Sequence, residues 1–266
     1  MILFSDLDET LLNEDSLVSD YTKEVLTKWN AAGHRLALSS GRPLDSILQV
    51  KEHAGLNFPG MYVIANNGAL VYDCDRQEAV RALTFPTEWV DHLQKEAKEM
   101  GIHIQTYTEH AIISEAEDEE IRFYRQRIRI PLILSSKLSD ALEHDPYKML
   151  AIHLTDHELL EQFRTKMAPW AEGKLQMIFS TPRYLEIFSG RAGKGSAVTW
   201  LCDYLRIPIE ESYAAGDQAN DISMLEAAGC GIAMCNGTEE IRQAADVVTQ
   251  KSNRESGLAE YLMTLL

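Results

Sequence analysis

The sequence contains two blocks in which short apolar runs alternate with amphipathic helical patterns. The predicted elements of the first block are strands at 1–5, 35–39 and 61–65 and helices at 19–32 and 43–54. From Lys194 the same alternation returns and continues towards the C-terminus. Strand–helix alternation is typical of a parallel sheet covered by helices, so the chain is predicted to have an α/β fold.

The segment between these blocks has a different character. Helices are predicted at 87–100, 117–128 and 155–168, the last one beginning with a capping box at Thr155–Glu158. The strands between them look antiparallel, such as those at 103–107, 147–154, 175–180 and 184–188. We therefore predict one α/β core made of 1–83 plus 188–266, interrupted by an α+β insert at 84–187.

Charge and composition exclude several classes of protein. The formal net charge of −16 argues against nucleic-acid binding, which depends on Lys and Arg contacts to phosphates. No apolar stretch is long enough for a membrane helix, and the N-terminus lacks the pattern of a secretion signal. We expect a cytoplasmic protein without a membrane partner.

Two aspartates, Asp6 and Asp8, follow the first apolar strand. Because side chains alternate along an extended chain, both carboxylates are expected on the same side at the end of that strand. Ligands of open parallel sheets bind just beyond the carboxyl ends of the strands. The spacing alone is weak evidence, because Asp73 and Asp75 repeat it. We interpret the second pair as a solvated hairpin tip.

Polar residues also follow two other predicted elements of the core. Ser40 ends a strand and Gly41 allows close approach of the backbone, which suits phosphate oxygens at the start of the next helix. A helix N-cap is an equally good interpretation of Ser40. Lys194 begins a helix, where a positive charge opposes the helix dipole, so an anionic partner is expected there.

The segment Gly216–Asp221 lies between a predicted strand and a helix. It places the carboxylates of Asp217 and Asp221 and the amide of Asn220 at one strand end. Magnesium prefers oxygen ligands and combines few protein carboxylates with substrate phosphate. Interpreted as structure alone, the segment is a loop in which Asn220 or Asp221 is the N-cap of the next helix.

In this order, Asp6–Leu12, Ser40–Arg42, Lys194 and Gly216–Asp221 resemble the four motifs of the haloacid-dehalogenase superfamily. The insert between the second and third motifs, with Ile64–Ala69 ahead of it, resembles the Cof-type branch, subfamily IIB, with a C2 cap. The resemblance implies a Rossmann-like parallel-sheet core and an α+β cap that sets substrate specificity.

The resemblance also implies roles for individual residues. Asp6 would attack phosphorus, and Asp8 would protonate the leaving oxygen and then activate water. Mg²⁺ would be bound by the Asp6 carboxylate, the Asp8 backbone carbonyl and the Asp217 carboxylate. The implied ligands of the phosphoryl oxygens are Ser40, Gly41, Lys194 and Asn220. Supporting roles are assigned to Arg42, Asn67 and Asp221, of which Asp221 is expected to orient Lys194 or a metal-bound water.

The expected function is therefore a Mg²⁺-dependent phosphatase that forms an aspartyl-phosphate and acts on small phosphorylated metabolites, with sugar phosphates as the leading class. One alternative is a phosphomutase, which would return the phosphoryl group to a sugar. Another is a non-enzymatic sensor of phosphorylated ligands. A monomer or homodimer is expected.

Overall fold

The structure, a computed structural model, describes residues 1–13 and 15–266. Its strands are β1 Ile2–Ser5, β2 Arg35–Ser39, β3 Tyr62–Ala65, β4 Leu70–Asp73, β5 Glu78–Ala82, β6 His103–Tyr107, β7 Ile112–Ser114, β8 Leu132–Leu134, β9 Lys148–Ile152, β10 Leu175–Thr181, β11 Tyr184–Ser189, β12 Ser212–Gly216, β13 Cys230–Ala233 and β14 Val247–Val248. Its α-helices are α1 Asp20–Ala31, α2 Leu44–Ala54, α3 Thr87–Glu99, α4 Glu119–Tyr124, α5 His157–Ala171, α6 Lys194–Leu205, α7 Ile222–Ala227, α8 Glu239–Ala244 and α9 Gly257–Met263.

The chain divides into two compact units. The first unit consists of Met1–Ser40, Ile47–Arg81 and Gly193–Leu266. The second unit consists of Gly41–Ser46 and Ala82–Ala192. The second unit thus contains most of the segment between the two α/β blocks, together with six residues that follow β2.

The first unit is built on an eight-stranded sheet with the order β14-β13-β12-β1-β2-β3-β4-β5. The pairs from β14 to β3 are parallel, and β4 is antiparallel to β3. The central strands β1 and β3 are buried along their whole length, as expected for strands covered by helices on both faces. The predicted α/β fold is confirmed.

The second unit contains a six-stranded sheet with the order β10-β11-β9-β6-β7-β8, which is antiparallel except for the β7–β8 pair. Alternate residues of β9 enter different apolar clusters. Met149 and Ala151 pack with residues of α3 and α5, whereas Leu150 and Ile152 pack with Tyr107 and with residues of α4. This alternation is the period of two that defines a strand with both faces covered.

Two helices of the second unit differ from their predicted bounds. The predicted capping box at Thr155–Glu158 is wrong by one residue, because Asp156 is the N-cap of α5 and accepts a hydrogen bond from the Leu159 N–H at 3.0 Å. Helix α4 is shorter than the predicted 117–128, since Asp118 caps it and it ends at Tyr124. Ile128 then leaves the helix to pack in an apolar cluster.

The second Asp-x-Asp pair lies at the opposite edge of the first unit's sheet from Asp6. Asp73 is the last residue of β4. Because β4 is antiparallel to β3, Asp73 pairs with Tyr62 at the start of β3. Its carboxylate accepts the backbone N–H groups of Asp75 and Arg76, which stabilises the turn. The turn interpretation is confirmed, but Asp73 is buried rather than solvated.

Among residues 1–13 and 15–266, no helix combines the length and apolar character that crossing a membrane requires.

Candidate active site

Asp6 lies at the carboxyl edge of the parallel sheet. It follows β1 directly, and its backbone N–H donates to the carbonyl of Ala215 in the neighbouring strand β12 at 2.9 Å. Ser5 pairs with Ala215 on one side and with Leu38 on the other, so the ends of β12, β1 and β2 are level. The side chain of Asp6 is buried at this edge.

Lys194, the first residue of α6, is 1% exposed. Its ammonium group donates to Asp6 Oδ1 at 2.6 Å and to Asp221 Oδ1. Burial alone would lower the pKa of Lys194, but the charges of Asp221 and Asp6 outweigh burial and raise the pKa above its ordinary value. The lysine is therefore charged at neutral pH, and its anionic partners are two aspartates from different parts of the sequence.

The loop after β12 brings two more carboxylates to this edge. Asp217 Oδ1 accepts a hydrogen bond from the Thr10 hydroxyl at 2.7 Å. Asp221 Oδ2 accepts the backbone N–H groups of Asp217 and Gln218, each at 3.2 Å. Gly216 is required for this geometry, because a Cβ atom there would lie 2.4 Å from the Cβ of Asp221.

The carboxylates of Asp6, Asp217 and Asp221 form one acidic cluster, with a ligand oxygen of each within 4.8 Å of the others. Burial is the main cause that raises the pKa of Asp217 to about 7, with the charge of Asp221 adding to it. Burial also raises the pKa of Asp6 well above its ordinary value, although Lys194 acts to lower it. Ionising all three buried carboxylates beside one lysine would leave an excess of negative charge, which adds to burial in raising the pKa values of Asp6 and Asp217.

The cluster fits a hard divalent cation. Its donor atoms are all oxygens, and a cation would compensate the excess negative charge that one lysine leaves. Asp221 already binds Lys194 and two backbone amides, so its carboxylate has the least remaining capacity for a metal. Asp6 and Asp217 are the better ligands.

Asp8 lies in a short helical turn, Leu7–Leu11, and is half-buried with an extended backbone. The next residue, Glu9, has φ 58°, a left-handed conformation that favours glycine. The Glu9 carbonyl accepts a hydrogen bond from Asn236 Nδ2 at 2.9 Å, which holds this turn in place. Asp6 and Asp8 both have extended backbone conformations, and the left-handed residue Glu9 follows them directly.

Ser40 is buried at the end of β2, on the same edge of the sheet as Asp6. Its N–H donates to the carbonyl of Ile64 at 2.9 Å, and its carbonyl accepts from the N–H of Asn67 at 3.1 Å. The turn at Asn66–Gly68 therefore lies directly against Ser40. Gly68 in that turn lies against Gly193, since a Cβ atom on Gly68 would be 2.2 Å from the Gly193 carbonyl oxygen.

Gly41 and Arg42 follow Ser40 but belong to the second unit. The Gly41 carbonyl accepts a hydrogen bond from the ammonium group of Lys148 at 2.6 Å, and Arg42 is buried. Lys148 also pairs with Glu186 at 2.7 Å in a fully buried salt bridge. Asn220 is half-buried in the turn that contains Asp221.

A model of the haloacid dehalogenase-like hydrolases matches residues 3–262, which is nearly the whole chain. The chain belongs to the haloacid dehalogenase-like hydrolase family. The predicted family and the predicted enzyme class, a phosphatase of this family, are confirmed.

Relatives of this haloacid dehalogenase-like hydrolase match along almost their full length. The phosphatase YwpJ of Bacillus subtilis is 30% identical over 294 residues, which cover 98% of each chain. The 5-amino-6-(5-phospho-D-ribitylamino)uracil phosphatase YitU of the same organism is 27% identical over 278 residues, or 97% of this chain and 94% of YitU. A haloacid dehalogenase-like hydrolase from Bacteroides thetaiotaomicron has a TM-score of 0.90 and 27% identity, covering 100% of this chain and 99% of that one.

In this haloacid dehalogenase-like hydrolase the structure joins residues that are far apart in sequence. Asp6, Lys194 and Asp221 are in direct contact, and Asp217 completes the acidic cluster. Sequence analysis missed Thr10 as a site residue, although it binds Asp217. The signal was its place inside the first motif, Asp6–Leu12, four residues after Asp6.

Proposed function

We propose that this protein is a Mg²⁺-dependent phosphatase of small phosphorylated metabolites, with Asp6 as the nucleophile. The observation that carries the proposal is the contact of buried Asp6 with Lys194, next to Asp217 and Asp221. Phosphoryl transfer depends mainly on positioning and on neutralising negative charge, and this cluster supplies both. A phosphorylated polyol or sugar is the leading substrate class, because YitU acts on a phosphoribityl compound.

In the first step, an oxygen of Asp6 attacks phosphorus and the bond from phosphorus to the ester oxygen breaks. Lys194 binds Oδ1 of Asp6, which leaves Oδ2 to attack. Asp8 gives its proton to the leaving oxygen, so the substrate departs as an alcohol. Ser40, Gly41, Lys194 and Asn220 bind the phosphoryl oxygens.

In the second step, water attacks the phosphorus of the aspartyl-phosphate. Asp8, now ionised, takes a proton from that water, and the bond between Asp6 and phosphorus breaks to release inorganic phosphate. Asp221 holds Lys194 in place throughout, because it accepts from the ammonium group and from two backbone amides.

Mg²⁺ would be bound by the carboxylates of Asp6 and Asp217 and by the backbone carbonyl of Asp8. When bound, it supplies positive charge that offsets the repulsion between the acidic cluster and an anionic substrate. Asp221 is not a metal ligand in this proposal, because its carboxylate binds Lys194. The supporting roles of Arg42 and Asn67 belong to this proposal as well, as does the choice of substrate by residues 84–187.

The test is release of inorganic phosphate from a panel of sugar and polyol phosphates with Mg²⁺, repeated with EDTA. We expect EDTA and Asp6→Asn each to abolish turnover. Asp75→Asn is the matched control, because Asp75 belongs to the other Asp-x-Asp pair and is exposed. Turnover that survives Asp6→Asn would refute the nucleophile assignment.

The same panel distinguishes the phosphomutase alternative, which would give an isomerised sugar phosphate without release of phosphate. Asp8→Asn adds a check on the acid–base role. With p-nitrophenyl phosphate, whose leaving group needs no protonation, we expect this variant to release nitrophenolate in a burst as phosphorylated enzyme accumulates.

A further inference from the structure

The second unit contains a buried salt bridge that the proposed reaction steps do not use. Lys148, the first residue of β9, is 1% exposed, and Glu186 in β11 is 5% exposed. Lys148 Nζ donates to Glu186 Oε2 at 2.7 Å. Lys148 pairs with Phe188, two residues beyond Glu186, so both charged side chains lie on one face of the sheet. The register of the two strands therefore sets this contact.

Stability alone does not account for the pair. Moving two charges out of water costs free energy that their attraction only partly returns, and apolar side chains of similar volume are often at least as stable. The second carboxylate oxygen of Glu186 is also bound, because the Ser180 hydroxyl donates to Oε1 at 3.0 Å. A carboxylate held by both oxygens fixes the ammonium group of Lys148 at one point.

The ammonium group of Lys148 holds the backbone of Gly41, a residue of the same unit. Lys148 Nζ donates to the Gly41 carbonyl at 2.6 Å, and the centre of the Tyr107 ring lies 5.0 Å from Nζ. A lysine has three N–H donors, which the carboxylate, the carbonyl and the ring face match. An effect of Lys148 on a reaction must therefore pass through Gly41.

The orientation of Gly41 needs such a contact. Glycine has no Cβ, so its backbone reaches more conformations than that of any other residue. A peptide group is planar, and in the trans form its carbonyl and the following N–H point in opposite directions. Holding the Gly41 carbonyl therefore sets the direction of the Arg42 N–H and restricts rotation about the backbone bonds of Gly41.

We propose that Lys148, held by Glu186, is a positioning residue that fixes the Gly41 peptide in the orientation that binds the phosphoryl group. This inference rests on the proposed phosphatase function, in which Gly41 is a ligand of the phosphoryl oxygens. Donors that are oriented in advance stabilise the transition state more than the bound substrate. Loss of Lys148 should therefore lower kcat more than it raises KM, by the same factor for every leaving group.

The kinetic test uses Lys148→Met/Glu186→Met, because removing Lys148 alone would leave a buried carboxylate unpaired. With Mg²⁺, we expect kcat/KM to fall about tenfold to a hundredfold, mainly through kcat. The fall should be equal for p-nitrophenyl phosphate and for the best sugar phosphate of the panel. Inhibition by orthovanadate, which mimics the transferring phosphoryl group, should weaken by a similar factor.

Two further variants separate positioning from structure. Lys166→Met/Glu96→Met is the matched control: these residues form another salt bridge of the second unit, at 2.6 Å, which joins α5 to α3. It should leave kcat and KM unchanged. Glu186→Gln keeps Lys148 and an acceptor for it, so most of the activity that the double variant loses should return. Thermal unfolding of each variant measures its stability.

Carbonyl NMR tests the contact itself and needs no turnover. The chain contains two Gly-Arg pairs, Gly41–Arg42 and Gly190–Arg191. Glycine labelled with ¹³C at the carbonyl and arginine labelled with ¹⁵N therefore give two coupled signals, and Arg191→Lys removes one to assign them. The double variant should move the Gly41 signal upfield, because its carbonyl loses a charge-assisted hydrogen bond. The Gly190 carbonyl accepts from Gln176, so its signal should not move.

The proposal is supported if the Gly41 signal moves and both substrates lose activity equally. An unmoved Gly41 signal would overturn it, as would a moved signal with unchanged kinetics. A loss on one substrate only would assign Lys148 to the leaving group, and a loss that follows a lowered Tm would assign it a structural role; either result overturns the proposal. If the wild-type protein hydrolyses none of these substrates, the proposed phosphatase function fails, and the positioning role fails with it.

Discussion

Left-handed backbone conformations occur in both turns that border the candidate site. Glu9 has φ 58° in the first motif, and Asn66, Asn67 and Gly68 have φ 52°, 54° and 87° after β3. Residues other than glycine are strained in this region. Glu9 adopts this conformation inside the first motif, at a position where glycine would be unstrained. These turns hold Asp8 and Asn67 at fixed positions.

Gly68 offers a test of this packing at the scale of one residue. Gly68→Ala should cost about 1–2 kcal/mol from left-handed strain and about 1–3 kcal/mol more from the clash with the Gly193 carbonyl. Because that carbonyl precedes Lys194, kcat should fall as well. Gly33→Ala is the matched control: Gly33 has φ 84°, and nothing lies within 4 Å of an added Cβ.

The measurements are urea denaturation and phosphate release by both variants. Gly33→Ala should lose only the stability that left-handed strain costs, and its rate of phosphate release should stay unchanged. Equal loss of stability in the two variants would argue against close packing of Gly68 on Gly193.

At the scale of elements, helix starts are the least certain part of the sequence prediction. Thr155 and Asp156 are adjacent, and both residue types are good N-caps. The structure selects Asp156, because its side chain accepts the Leu159 N–H while its own N–H donates to His153 Nδ1 at 2.9 Å. The choice depends on a histidine outside the capping pattern.

Substitution by alanine distinguishes the two caps of α5. Asp156→Ala should destabilise the second unit by about 1 kcal/mol, because the Leu159 N–H loses its acceptor. Thr155→Ala should change stability by less than about 0.5 kcal/mol, since Thr155 is exposed. Urea denaturation and hydrogen exchange of the first-turn amides measure both. A larger loss of stability in Thr155→Ala than in Asp156→Ala would support Thr155 as the N-cap, as the sequence predicted.

At the scale of the whole molecule, negative charge is in excess both overall and in the site. The net charge is −16, and three carboxylates of the acidic cluster are buried around one lysine. A divalent cation that binds the folded protein and not the unfolded chain stabilises it by mass action. Binding of a divalent cation to the acidic cluster should therefore raise the free energy of unfolding of the protein.

Magnesium should raise Tm, and EDTA should reverse the increase. At a concentration of 100 times Kd the gain is about 2.7 kcal/mol. Asp217→Asn should abolish this response, while its amide oxygen still accepts from Thr10. It should not lower Tm without metal, because one of three clustered carboxylates loses its charge. KCl at equal ionic strength and Asp75→Asn are the controls, and an unchanged Mg²⁺ response in Asp217→Asn would contradict the metal assignment.

The sequence by itself determined the strand–helix alternation, the interruption by an insert and the order of the motifs, because hydrophobic periodicity and strand-end residues are local properties. It predicted Asp6, Lys194, Asp217 and Asp221, and the structure brings these four together. Their metal and catalytic roles stay predictions.

Only the tertiary structure decided which residues touch. It showed that Lys194 binds Asp6 and Asp221, that Thr10 binds Asp217, and that the amide of Asn67 is buried without a partner. These contacts join positions as much as 207 residues apart, through the register of parallel strands. A pattern in sequence cannot give them, because burial and hydrogen bonding depend on the neighbours that folding supplies.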